Sequence, residues 1–421
     1  LRMTGRRQDM QTGWVKQFGS AAIAAFLAVG CSGGAMSGSG HSHKAMAQAG
    51  SPNGATSATK AAELRSGLNY LMGEHILLAS SATGAALAGR DAQFKAAAAA
   101  LDANSVDIAK AIGSVYGQGT QDAFLPLWRR HIGFVVDYTV GVATKDKPKQ
   151  DKAVTDLVQY TQDFGAFLAS ANPNLPKDVV ADLVKKHVLT LKEVIDAQAA
   201  GDQPKAFAAT RTAYTHMGMI ADPLAGAIVK QFPDKFPGST MSAAAGLRST
   251  LTMAFQEHTY LAARATGAAL GGRDPEFKAA AATLDANGMD ISKTIGSVYG
   301  QGAQDAFLPL WRRHIGFVVD YTVGVATKDQ AKQQKAVEDL VGYSQDFGAF
   351  LASANPNLPK DVVAGLVKDH ILTLKPVIDA QAAGDHPKVY TLLRSATRHM
   401  RMIADPLAEA IVKQFPQKFG A

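Results

Sequence analysis

The chain has 421 residues, a formal net charge of +7, 19% charged residues and 39 glycines. That length exceeds one ordinary core, so two or more domains are expected. The modest charge is scattered, with no basic helix and no interleaving of aromatic and basic residues, which argues against a nucleic-acid partner.

The first element predicted is a secretion signal over residues 1–30, in which a basic stretch precedes an apolar run from Phe18 to Gly30. Such a run is shorter than the ~20 residues a bilayer demands. It ends at Ala28-Val29-Gly30-Cys31, which resembles a bacterial lipobox, with Ala28 where leucine is usual. Cys31 is the single cysteine of the chain, so the mature domains are expected to carry no disulfide, and Cys31 is the expected lipidation site. A lipid anchor at Cys31 would make the membrane a partner and place the protein outside the cytoplasm, on the outer face of the cell membrane. Cleavage near Ala45 to Ala49 would instead release a secreted protein. Residues 31–61, rich in Gly, Ser and Ala and holding His41 and His43, read as a flexible tether.

Residues 62–238 and 245–421 then align without a gap, most positions being identical, and so form two copies. In the first copy, breakers at Gly89-Arg90-Asp91, Lys145-Asp146 and Gly201-Asp202 each join two helices, the aspartate serving as an N-terminal cap. Longer punctuation at Gly117-Gln118-Gly119 and Asn172-Pro173-Asn174-Leu175-Pro176 separates these hairpins. Helices are predicted near 62–88, 92–116, 120–144, 149–171, 177–200 and 204–231. Apolar residues recur at three- and four-residue spacing throughout, as in Phe124, Leu127, His131, Val135 and Tyr138, and no strand alternation is found. The expected fold is all-α: two tandem six-helix bundles, domain 1 over 62–238 and domain 2 over 245–421, each made of three antiparallel helical hairpins.

Histidines mark this repeat. His75, His131 and His187 stand 56 residues apart, as do His258, His314 and His370, and His216 and His399 share the offset between copies. A 56-residue stride is that of a helical-hairpin repeat. Placing each turn about halfway along its hairpin brings Asn104, Tyr160 and His216 level with the three stride histidines. One polar layer is thus predicted in each core: His75, Asn104, His131, Tyr160, His187 and His216, then His258, Asn287, His314, Tyr343, His370 and His399. Buried polar groups are costly unless paired or bound. Neutral imidazoles suit Zn, Cu or Fe, so one transition metal per domain is expected, with Met219 and Met402 of the two His-Met-x-Met segments as additional soft donors. Asp107, Asp163 and Asp222 are candidate partners of the imidazoles, and Glu74 is expected to hold the His75 ring or to face water. The competing reading is a structural or cell-surface interaction module in which the His–Asn–Tyr layer only fixes packing. No haem-attachment motif, phosphate loop, His-Glu-x-x-His or nucleophile elbow is present, so neither haem nor nucleotide is expected and no catalytic residue is assigned.

Three features carry a family resemblance: Glu74-His75, the turn at Gly201-Asp202, and the closing Gln231-Phe232-Pro233-Asp234-Lys235-Phe236. With them the chain resembles a group of uncharacterised secreted bacterial helical-hairpin repeat proteins, over residues 62–421. Some of these carry a copper amine oxidase label taken from an attached domain, and no residue of that chemistry is found here. The resemblance implies the helical fold and an extracytoplasmic location. The leading expectation for function is capture, buffering or delivery of a transition metal.

Overall fold

A computed structural model describes residues 54–420. The signal and lipidation expectations, residues 1–30 and Cys31, lie outside the described residues, as does the tether up to residue 53. Every regular element among the described residues is a helix. In the first copy these are α1 Lys60–Leu87, α2 Asp91–Tyr116, α3 Gln118–Ala143, α4 Lys147–Ala171, α5 Lys177–Ala199 and α6 Gln203–Gln231. The second copy supplies α7 Ala243–Leu270, α8 Asp274–Tyr299, α9 Gln301–Ala326, α10 Gln330–Ala354, α11 Lys360–Ala382 and α12 His386–Gln414, with the single turn α13 Pro416–Phe419 closing the chain. None of these helices is long and apolar enough to cross a membrane.

Local chemistry sets the helix ends. The Asp146 and Asp202 carboxylates accept from the backbone amides of Lys149 and Lys205 and cap α4 and α6, as Asp329 and Asp385 cap α10 and α12. At the first hairpin turn Arg90 takes the cap position and Asp91 falls in the first turn, so no side chain caps α2. The turns that need a left-handed backbone place Gly89 (φ 67°) and Gly201 (φ 72°) there, and Lys145 adopts it at φ 57°.

Each helix packs on its chain neighbour and α6 returns to α1, so the first copy is a closed ring of helices, and the second repeats it from α7 to α12. Inside the ring the odd-numbered helices α1, α3 and α5 also touch one another, as do α7, α9 and α11. Those are the helices that carry the stride histidines. The two copies are not set apart. Residues Gly50–Ala421 form one compact unit, in which α1 packs on α7, α2 on α12 and α6 on α8. Helix α1 therefore serves two cores, and its run of Tyr70, Met72, Ile76, Leu77, Leu78 and Ala79 is buried on nearly every side.

The segment just before α1 departs from the tether expectation. Ala55 and Ser57 are buried. Glu409 of α12 accepts from the Ser57 amide and hydroxyl, both at 2.8 Å, while Arg248 of α7 donates to the Ser57 carbonyl at 3.0 Å. The matching linker before α7 lies on the first copy, with Arg65 donating to the Thr240 carbonyl at 2.7 Å. Each copy thus grips the leader of the other. The Arg–Asp pairs Arg65–Asp222 and Arg248–Asp405 hold the two gripping guanidinium groups in place.

Candidate metal centre

His75 on α1, His131 on α3 and His187 on α5 are all buried, and each offers a ring nitrogen within 4.8 Å of the other two. Nε2 of His75 and Nε2 of His131 are 3.4 Å apart. That is long for a hydrogen bond and close to the roughly 3.3 Å edge of a tetrahedron with metal–nitrogen bonds of 2.0–2.1 Å. Nδ1 of His75 and both ring nitrogens of His187 are buried without a hydrogen-bond partner. Unsatisfied polar atoms of this kind are rare in folded proteins, and each calls for an explanation.

Burial also sets their charge state. His75 is held well below its ordinary pKa, first by desolvation and then by His131 and His187. His131 is lowered to about 3 by desolvation and by His187, with the Trp128 carbonyl acting the other way. His187 is lowered to about 4 by desolvation and by His216. All three are neutral at pH 7 and keep lone pairs free for a cation. The influences acting on them are burial, one another, His216 and the Trp128 carbonyl; no carboxylate is among them.

An apolar cavity of about 100 Å³ adjoins the triad, lined by Met72, Phe124, Trp128, His131, His187 and Met217 among others. The Trp128 ring packs against His75 at 5.0 Å and His131 at 4.7 Å, centroid to centroid. Trp128 lies three residues before His131 and so on the same helix face, a spacing that marks it as a neighbour of the layer.

The rest of the predicted layer divides. Tyr160 does lie beside the histidines, its ring 5.2 Å from that of His131 and its hydroxyl buried without a partner. His216 is not one of the converging three, because its Nε2 pairs with the Leu183 carbonyl at 2.9 Å. Asn104 is held outside the cluster in the same manner, donating to the Leu71 carbonyl at 3.0 Å and the Glu74 carboxylate at 2.9 Å. Met219 and Met402 are about half exposed, so the methionine of each His-Met-x-Met segment that lines the core cavity is instead the buried Met217 or Met400. Neither Asp107, Asp163 nor Asp222 serves an imidazole, for they pair with Arg394, Arg130 and Arg65.

Glu74 neither holds His75 nor faces water. It is fully buried between the copies, where it accepts from Asn104, from the Tyr260 hydroxyl at 3.3 Å and from Arg394 at 2.8 Å. Glu257 repeats this with Asn287 and Arg211. The Glu-His dipeptide therefore points one side chain into its own core and the other into the seam between copies.

In the second copy the same fold gives a looser cluster. His258 and His314 keep the 3.4 Å contact and His399 pairs with the Leu366 carbonyl at 3.1 Å, while Asn287 donates to the Ala254 carbonyl at 3.0 Å. Tyr343 stays 5.2 Å from the His314 ring. But His258 and His370 rings stand 6.2 Å apart, against 5.8 Å for His75 and His187. The adjoining cavity shrinks to about 40 Å³. Phe255, which replaces Met72 and stacks on Trp311 at 5.9 Å, lines it. Among the described residues the first-copy triad is the one group of three such side chains with ligand atoms this close.

No protein-family model, no curated protein and no solved structure matches the chain.

Proposed function

We propose that the chain binds one transition-metal ion on His75, His131 and His187 and serves to capture, buffer or deliver it outside the cytoplasm. The observation that carries this reading is the convergence of three buried, neutral imidazoles from three helices, one of them with both ring nitrogens unpartnered. A chain that only needed to pack these helices would do so at lower cost with leucine. Each copy is read as a six-helix bundle, and the second as a copy whose cluster has relaxed. The location rests on the signal-like N-terminus, on Cys31 as a lipid anchor, and on the resemblance to secreted helical-hairpin proteins. Elemental analysis after loading and desalting tests the metal: about one ion per chain is expected, lost in His187→Ala and kept in His370→Ala. Metal at background levels in the unaltered chain would end the proposal.

The second reading, a structural polar layer, draws on one observation: Asn104 and His216 both pair with a backbone carbonyl four residues before a stride histidine. It accounts for those two residues and leaves His187 without a purpose.

A further inference from the structure

Resting on that metal reading, we infer that the triad is built for a monovalent soft ion, Cu(I), in preference to a divalent one. The donor set is three neutral imidazoles and carries no charge. The acidic groups that the sequence offered as partners of the imidazoles are committed elsewhere: Glu74 and Asp107 to Arg394, Asp163 to Arg130 and Asp222 to Arg65. A divalent ion placed here would bring two positive charges into the core, and would have to carry a water or hydroxide into an apolar cavity to complete its shell. A single charge spread over three imidazoles incurs far less of this penalty. The remaining approach to the ion lies along an apolar cavity of Phe124, Trp128, Met72 and Met217, which offers a thioether and no anion. A thioether is a soft donor that favours Cu(I), an ion that imidazole also binds. The Tyr160 hydroxyl, buried without a partner and with its ring beside His131, is the group that would hold the hydroxide or other anion a divalent ion would bring with it.

The test uses the purified full chain carrying Cys31→Ser, so that its thiol does not compete. Anaerobic Cu(I) competition against bicinchoninate is run beside Zn(II) competition against a fluorescent zinc chelator. One Cu(I) per chain is expected, held at least a thousandfold more tightly than Zn(II), with a copper reduction potential above that of the aqueous ion. X-ray absorption of the unaltered copper-loaded chain should show a Cu(I) edge and nitrogen neighbours from imidazole, which does not depend on any variant folding. His187→Leu should lose the tight Cu(I) site while keeping its helical circular dichroism, and His370→Leu should keep the site. Zinc held as tightly as Cu(I), dependent on His187 and weakened by Tyr160→Phe, would overturn the Cu(I) inference and leave the metal proposal standing. Cu(I) retained by the His187→Leu chain would place the ion elsewhere and overturn both. No tight binding of either ion would do the same.

Discussion

His187 carries two ring nitrogens into the core with nothing to bond. Leaving such atoms unpaired costs about 1–3 kcal/mol, whereas an apolar side chain of similar size there is neutral or stabilising. His187→Leu is therefore expected to raise the thermal midpoint of the metal-free protein while removing the further rise that loading gives the unaltered chain. Calorimetry of both proteins with and without metal checks this, and equal or lower stability of the metal-free variant would count against it. The same burial gives a pH dependence. His75, His131, His187, His258, His314 and His370 all have folded pKa values below the ordinary 6.5. Below pH 6.5 the unfolded chain takes up protons that the folded chain refuses until about 3 to 4. Stability should thus be unaffected by these groups above pH 6.5 and fall steadily beneath it, by at most ~1.4 kcal/mol per histidine per pH unit. Denaturant titrations at pH 7.5, 6 and 5 would show it, and a His187→Leu, His370→Leu chain should show a shallower fall.

At the scale of elements the helix seams were readable, because amphipathic spacing and Asp caps are local: the predicted limits, such as 92–116 for α2 Asp91–Tyr116, lie within about two residues of the observed ones. The layer was readable in part for the same reason. Hairpin geometry places Tyr160 and His131 at one height, yet it cannot say that Asn104 and His216 spend their polar atoms on helix carbonyls. Nor could it show Glu74 meeting Arg394, since that contact joins residues 320 apart. These seam contacts make firm predictions. Arg394→Ala leaves Glu74 buried without its cation and should cost about 3–5 kcal/mol, much of it recovered by adding Glu74→Gln; denaturation of the single and double variants decides it. Gly73 sits where α1 meets the other copy, and a Cβ there would lie 2.7 Å from both the Tyr214 ring and the Gln256 side chain. Gly73→Ala should cost about 1–3 kcal/mol, and Tyr214→Thr, which installs the residue of the equivalent second-copy position, should relieve it.

For the whole molecule, the pairing of α1 with α7 and the exchange of leaders tie the copies into one compact unit. A chain beginning at residue 60 loses the Ser57 contacts to Arg248 and Glu409, so its first effect should be on the second copy. Hydrogen exchange is expected to quicken in α7 and α12 before α1, and the opposite order would refute the crossed arrangement. The crossing also decides how the molecule bears load. Any pull on the N-terminus reaches Ser57 before α1, and Ser57 is clamped by a helix 352 residues further along the chain. Helices of the second copy therefore secure the first described segment, and tension entering from the N-terminal side meets the second copy at Ser57 before it reaches α1 and the histidines of the first copy.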